Sequence, residues 1–195
     1  MNRAPVSVRG FSLIELVVTM VIIAILAAIA VPSFRDMTRR NQVSNASNAL
    51  LAAVSYARTE AITRGNFVSI CASTDGASCA TSTNYAQGWL IYTYTAGNGK
   101  SGTQYDASSG DVLLRSAGAM TTASIVANSS DVLSFGQQGQ VVLASGKPLP
   151  SFLTCYKDPT GNKINTASVP GYQLTVNGSG GVTSTGLTAG ASCGS

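Results

Sequence analysis

Glu15 makes the heaviest demand on its surroundings. It is the one charged residue in an otherwise apolar run, residues 11–31, FSLIELVVTMVIIAILAAIAV. A carboxylate in hydrocarbon is costly and persists only with a cationic partner or another reason to be there. The second chemically capable group is the set of four cysteines, Cys71, Cys79, Cys155 and Cys193. The chain has no histidine. That removes the Ser-His-Asp triad, the Cys-His dyad and every His-containing metal site at once. No CxxC spacing supports a four-thiolate zinc site, so the cysteines read as disulfides and the segment carrying them as lying outside the cytoplasm. Of the three pairings that four cysteines allow, Cys71–Cys79 with Cys155–Cys193 is preferred. The first closes a short local loop and the second ties the C-terminal tail to a strand. The eight acids are scattered singly. Hydrolysis would need a clustered pair, such as Asp75 with Asp111 or Asp131, and no motif supports one. No GxxxxGK[ST] loop is present. The expectation is a protein without catalysis, cofactor or metal.

Composition agrees with that class. The chain has 195 residues, enough for one domain and an appendage. Only 10% of residues are charged, and the net charge is +4. Arg3 and Arg9 supply two of those charges, which leaves little bulk attraction to nucleic acid. Ser, Thr, Asn and 20 Gly supply the polarity instead, the texture of an extracytoplasmic, turn-rich β protein.

The elements that must position these groups follow from periodicity. Twenty-one helical residues at 11–31 span roughly 30 Å, about the hydrocarbon core of a bilayer. Pro32 is expected to kink the helix without ending it. Val43, Ala46, Ala49, Leu50, Ala53, Val54, Ala57, Ala61 and Ile62 then recur at helical spacing, with Arg58, Glu60 and Arg64 off that stripe. Gly65 is a fitting C′ residue, so one helix is expected over 13–64, with 32–64 as its amphipathic continuation. Short alternating strands are expected at 67–72, 88–95, 112–116, 124–127, 132–135, 140–144, 152–156, 172–176 and 181–184, with turn-rich segments at 74–84, 96–110, 157–170 and 177–180. The fold class is α+β: a long N-terminal helix packed on an antiparallel, sandwich-like β domain over 65–195. Trp89 reads as a packing residue, Arg58 and Glu60 as solvated, Arg115 as a partner for an acid, and Tyr92, Tyr94 and Tyr105 as a possible aromatic surface.

A secretory signal peptide would also use Arg3 and Arg9, with Ala28-Ile29-Ala30 as its cleavage site. Glu15 and the preceding GFSLIE (residues 10–15) argue otherwise. That hexapeptide resembles the processing site of type IV pilins and type II secretion pseudopilins. The resemblance implies a leader, 1–10, cut after Gly10 by a membrane prepilin peptidase that methylates the new amine of Phe11. It implies that Glu15 pairs with the N-terminal amine of a neighbouring subunit during assembly. Arg3 and Arg9 before the span and Arg35, Arg39 and Arg40 after it do not decide orientation. The cysteines do, which puts the leader in the cytoplasm, the helix 11–31 in the inner membrane, and the cysteine-bearing domain in the periplasm until the chain joins a filament.

Further stretches resemble the FimT/GspH family. They are AlaArgThrGluAlaIle at 57–62 with ArgGly at 64–65, Val68-Ser69-Ile70-Cys71 through Asp75-Gly76 and Cys79, Gly88-Trp89-Leu90-Ile91, Val112-Leu113-Leu114-Arg115, and Leu133-Ser134-Phe135-Gly136 with Gly139. The resemblance implies a minor pilin of the type IV pilus, or the H pseudopilin of type II secretion, with other minor and major pilins as partners. Some members of the family are DNA receptors, with arginines on a late strand. Here Gly181 and Thr183 stand where those arginines would be, no Arg follows Arg115, and the last Lys is Lys163. Nucleic acid is therefore not an expected partner, unless Lys147, Lys157 and Lys163 gather on one face.

Overall fold

The structure is a computed structural model that describes residues 10–94, 104–143 and 146–194. Its elements are one helix, α1 (Leu13–Arg64), and ten strands: β1 (Phe67–Ala72), β2 (Trp89–Tyr94), β3 (Val112–Ala117), β4 (Ala123–Ala127), β5 (Leu133–Phe135), β6 (Val141–Val142), β7 (Ser151–Lys157), β8 (Lys163–Ile164), β9 (Tyr172–Val176) and β10 (Val182–Gly186). Two compact units divide the chain, Met1–Thr38 and Arg39–Ser195, so the second takes in the rear half of α1.

The helix has the expected limits. It runs through Pro32, where the missing backbone N–H removes one rung of the hydrogen-bond ladder. Gly65 follows it at φ +61°, a conformation L-residues avoid. In the second unit Val43, Ala46, Leu50, Ala53, Val54, Ala57 and Ala61 are buried as the spacing predicts. Three positions depart from the stripe. Ala49 is only partly buried. Ile62 is half exposed, at 50%. Ser47, one turn after Val43, is buried. A serine carries no hydrophobic signal, so periodicity alone passes over it.

Two all-antiparallel sheets pack with α1 around one core. The first has the order β3-β2-β1-β5-β6, and the second β10-β9-β7-β4 with β8 on β7. Val68 and Ile70 of β1, Trp89 and Ile91 of β2, Ile125 of β4, Phe135 of β5, Phe152 of β7 and Leu174 of β9 share that core with Leu50, Val54 and Ala57. Each large apolar side chain so buried contributes about 1.5–3 kcal/mol. Trp89 is a packing residue at 2% exposure.

β2 is buried at all six positions, because its two faces serve two clusters. Leu90, Tyr92 and Tyr94 point away from α1 and cluster with Cys71, and Phe67, Cys79, Tyr105 and Val132 pack around them. Tyr92 and Tyr94 are thus core, with Tyr105 half-buried against them. Phe67 stacks on Tyr94 and Tyr105 meets Tyr92 edge-on, with centroids 5.5 and 5.4 Å apart.

Three further differences from the sequence reading concern short pieces. β8 lies inside 157–170, and 3-10 turns occupy Tyr85–Gln87 and Ala107–Ser109. Two or three residues carry too little periodicity to be seen. The strand at 140–144 and the loop at 96–110 fall partly outside the described residues, as does most of the leader, Arg3 and Arg9 included.

The structure pairs Cys71 with Cys79 and Cys155 with Cys193, with Cα atoms 5.6 and 6.0 Å apart. Inside the first loop Asp75 accepts from the backbone N–H groups of Ala77 and Ser78 and from the hydroxyls of Ser73 and Ser78.

Four such carboxyls are held below the ordinary carboxylate range. Asp75 is lowered first by the Ser78 hydroxyl, Asp106 by the Ser108 hydroxyl, Asp131 by the Ser129 hydroxyl and then Lys147, and Asp158 by the Thr160 hydroxyl. A folded-state pKa below the unfolded one stabilises above the unfolded value and loses that contribution as pH falls through the folded one. The thermal midpoint should therefore be level above about pH 5 and fall below about pH 4. Asp75→Asn should shallow that fall in a pH series of melting curves.

Candidate functional site: the N-terminal helix and its clasp on the β unit

The predicted processing and assembly residues lie at the start of α1. Gly10 and Phe11 precede the helix, and Phe11 is 78% exposed. Ser12 caps it: its Oγ accepts from the Glu15 N–H at 3.3 Å, and its carbonyl accepts from the Leu16 N–H at 3.3 Å. Ser12-Leu13-Ile14-Glu15 carries the S-x-x-E spacing of a capping box, the signal by which Ser12 can be found in the sequence. Glu15 thereby sits in the first turn, where the helix dipole favours a negative charge. Every residue from 10 to 35 is exposed, Leu13, Ile14, Met20, Ile23, Leu26 and Ile29 among them. The segment is long and apolar enough to cross a membrane.

Within the second unit, arginines bind α1 to the sheets. Arg39 lies over the Tyr156 ring at 5.3 Å, and the Arg40 guanidinium donates twice to the Ser168 carbonyl, at 3.2 and 2.9 Å. Arg115 lies over Tyr56 at 5.0 Å, a cation–π contact and not a pairing with an acid.

Arg58 is the residue that sequence reasoning undervalued. It is partly buried, and donates to the Gly139 carbonyl and the Ser179 carbonyl, both at 3.1 Å. One side chain of α1 thus holds the β5–β6 turn of one sheet and the β9–β10 turn of the other. The two turns also meet directly, Val141 N–H to the Gly178 carbonyl at 3.0 Å. Gly180 makes this approach available. At φ +81°, a Cβ there would lie 1.9 Å from the Gly139 oxygen. Gly180→Ala should cost about 3 kcal/mol, from the left-handed backbone and the clash together. Arg58→Ala should cost about 2 kcal/mol, the value of charged hydrogen bonds to carbonyls. Urea unfolding of both variants measures this.

The remaining predicted residues fall in separate places, apart from Lys157 and Lys163. Gly181 donates to the Asn177 side chain within its turn, and Thr183 pairs with Thr175 at 2.7 Å on the exposed face of β9 and β10. Lys147 pairs with Asp131 at 3.0 Å, and Lys163 donates to the Gly194 carbonyl at 2.6 Å. Lys157 and Lys163 face one another across β7 and β8. Asp75 and Asp131 are each engaged in local contacts of their own, and the Asp111 carboxylate accepts from the Asp106 N–H.

A family model described as "Type II transport protein GspH" matches residues 46–180, and one described as "Prokaryotic N-terminal methylation motif" matches residues 7–31. The chain belongs to the GspH family of type IV pilin-like proteins. A Pseudomonas aeruginosa "Fimbrial protein" is 36% identical over 49% of this chain and 58% of its own length. "Fimbrial protein EcpC" of Eikenella corrodens is 52% identical over 20% of this chain and 26% of its own. This GspH-family chain therefore spans less than two thirds of the curated relatives it matches. The fold is that of the type IV minor pilin FimU of Pseudomonas aeruginosa, at TM-score 0.53 and 20% identity, covering 78% of this chain and 98% of that one. The apolar N-terminal helix of this chain suits a membrane anchor.

Proposed function

We propose that this chain is a minor pilin of the type IV pilus, which primes or caps filament growth and acts by assembly without catalysis. The observation that carries this reading is the exposed apolar helix start. Residues 10–35 bury nothing in their own chain, while α1 beyond Val43 buries a full stripe. Apolar surface of that extent needs lipid first and other subunits' helices afterwards. On this reading a prepilin peptidase cleaves behind Gly10, residues 11–31 rest in the inner membrane, and the disulfide-bonded unit faces the periplasm. Glu15 then sets register against the Phe11 amine of a neighbour, because a carboxylate in an apolar filament core needs a cation. The relatives named as fimbrial proteins and the fold shared with FimU support the pilus.

The family description favours a second reading, the H pseudopilin of type II secretion. A clean deletion strain scored for surface pili and for secreted proteins separates the two. Loss of pili with secretion intact supports the minor pilin. Loss of secretion with pili intact supports the pseudopilin. Duplex DNA is not a partner on either reading, since the strand that ends the β unit carries no cation.

A further inference from the structure

Among the described residues, the outer face of the second sheet carries two lysines and no carboxylate. Phe152 and Tyr156 of β7 point toward α1, so Ser151, Leu153, Cys155 and Lys157 share the opposite face. Lys157 is directly paired with Lys163 across β7 and β8. Like charges so placed repel. Both line a pocket of about 200 Å³ with Thr83, Asn84, Ala86, Ser124 and Val126, and no carboxylate is among these residues. The nearest acid in sequence, Asp158, spends both oxygens on its own turn. One accepts from Thr160 and the Asn162 N–H, and the other from the Asn162 amide. Lys163 is tied to the Gly194 carbonyl, beside the tail that Cys193 fastens to Cys155. Lys157 makes no such tie among the described residues, which leaves its ammonium for a ligand.

We propose that this pocket receives one carboxylate group, presented by an acidic side chain of an adjacent subunit. Two ammonium groups match the two oxygens of a carboxylate, and the hydroxyl of Thr83 can add a hydrogen bond. The choice of a neighbouring subunit rests on the filament reading above; the pocket itself does not.

Two arms test the proposal. In the first, the isotope-labelled full-length chain in neutral detergent micelles is titrated with succinate at constant ionic strength, with chloride and phosphate as comparisons. Saturable changes at Lys157, Lys163 and Thr83 that succinate produces more strongly than phosphate or chloride, weakened about tenfold in Lys157→Gln, are expected. Equal responses in the variant, or a response no greater than that to chloride or phosphate, overturn the carboxylate site. The melting temperature separates this role from a structural one. Removing a repelling charge should leave it unchanged or raise it, whereas a fall would assign Lys157 to stability. In the second arm, Lys157→Gln is scored for incorporation into filaments. Reduced incorporation with cleavage intact supports the neighbouring carboxylate, and normal incorporation overturns that source. A wild-type chain absent from all filaments would overturn the filament reading and that source together, while the succinate result stands by itself.

Discussion

Gly10→Val should abolish leader cleavage while leaving the β unit as stable as before. A Cβ at Gly10 meets nothing within 4 Å, and the residue lies outside both α1 and the core. The chain's own fold therefore places no demand on glycine there. The demand comes from whatever holds the backbone closely from outside, the peptidase on the proposed reading. A close-fitting site discriminates by about 1–3 kcal/mol per misplaced methyl group, so three added carbons should slow cleavage about a hundredfold or more. An immunoblot of precursor and mature chain, beside a melting curve, reads both halves. Glu15→Ala should behave in the opposite way. It removes a group that costs about 2–3 kcal/mol in hydrocarbon, so membrane insertion should improve and cleavage persist. Incorporation into filaments should fall all the same, because the neighbour's amine loses its partner. If Gly10→Val is processed and Glu15→Ala assembles at the wild-type level, the proposed mechanism is wrong.

Loss of the Cys155–Cys193 bond should destabilise the β unit more than loss of Cys71–Cys79. The first joins residues 38 apart and the second residues 8 apart. Loop-closure entropy then gives about 4 kcal/mol for the long link and about 2.5 kcal/mol for the short one. Against a total stability of about 5–15 kcal/mol, the long link is a large share. Cys155→Ala with Cys193→Ala, changed together so that no thiol is stranded, should lower the melting temperature by about 10 °C. The tail beyond Gly186 should also become sensitive to protease. Cys71→Ala with Cys79→Ala should lower the midpoint by about 6 °C. It should leave the main core intact, because Cys71 packs with Leu90, Tyr92 and Tyr94 on the far side of the sheet. An equal loss from both pairs would show that packing around the sulfurs outweighs chain entropy.

What the sequence determined by itself was whatever acts locally and repeats. A 3.6-residue stripe held over twenty residues, with Gly65 behind it, specifies the helix 13–64, because each turn adds the same signal. Alternation specifies most strands for the same reason. The lone carboxylate Glu15 stands out in its apolar run, because hydrocarbon tolerates so few charges. The two cysteine pairs were legible because each joins neighbours that strands and turns already bring close.

Tertiary structure alone decided the matters that depend on distant partners. Arg58 reads as a solvated residue until two turns, 81 and 121 residues away, present their carbonyls to it. Tyr92 and Tyr94 are open to either a surface or a packing reading until the other face of β2 is found to be covered. Gly180 reads as an ordinary turn glycine until the Gly139 oxygen is found where its Cβ would stand. The pairing of Lys157 with Lys163 depends on a strand of two residues, too short to announce itself. In each case the local sequence permits several environments, and only the packing of one sheet, turn or helix face on another selects among them.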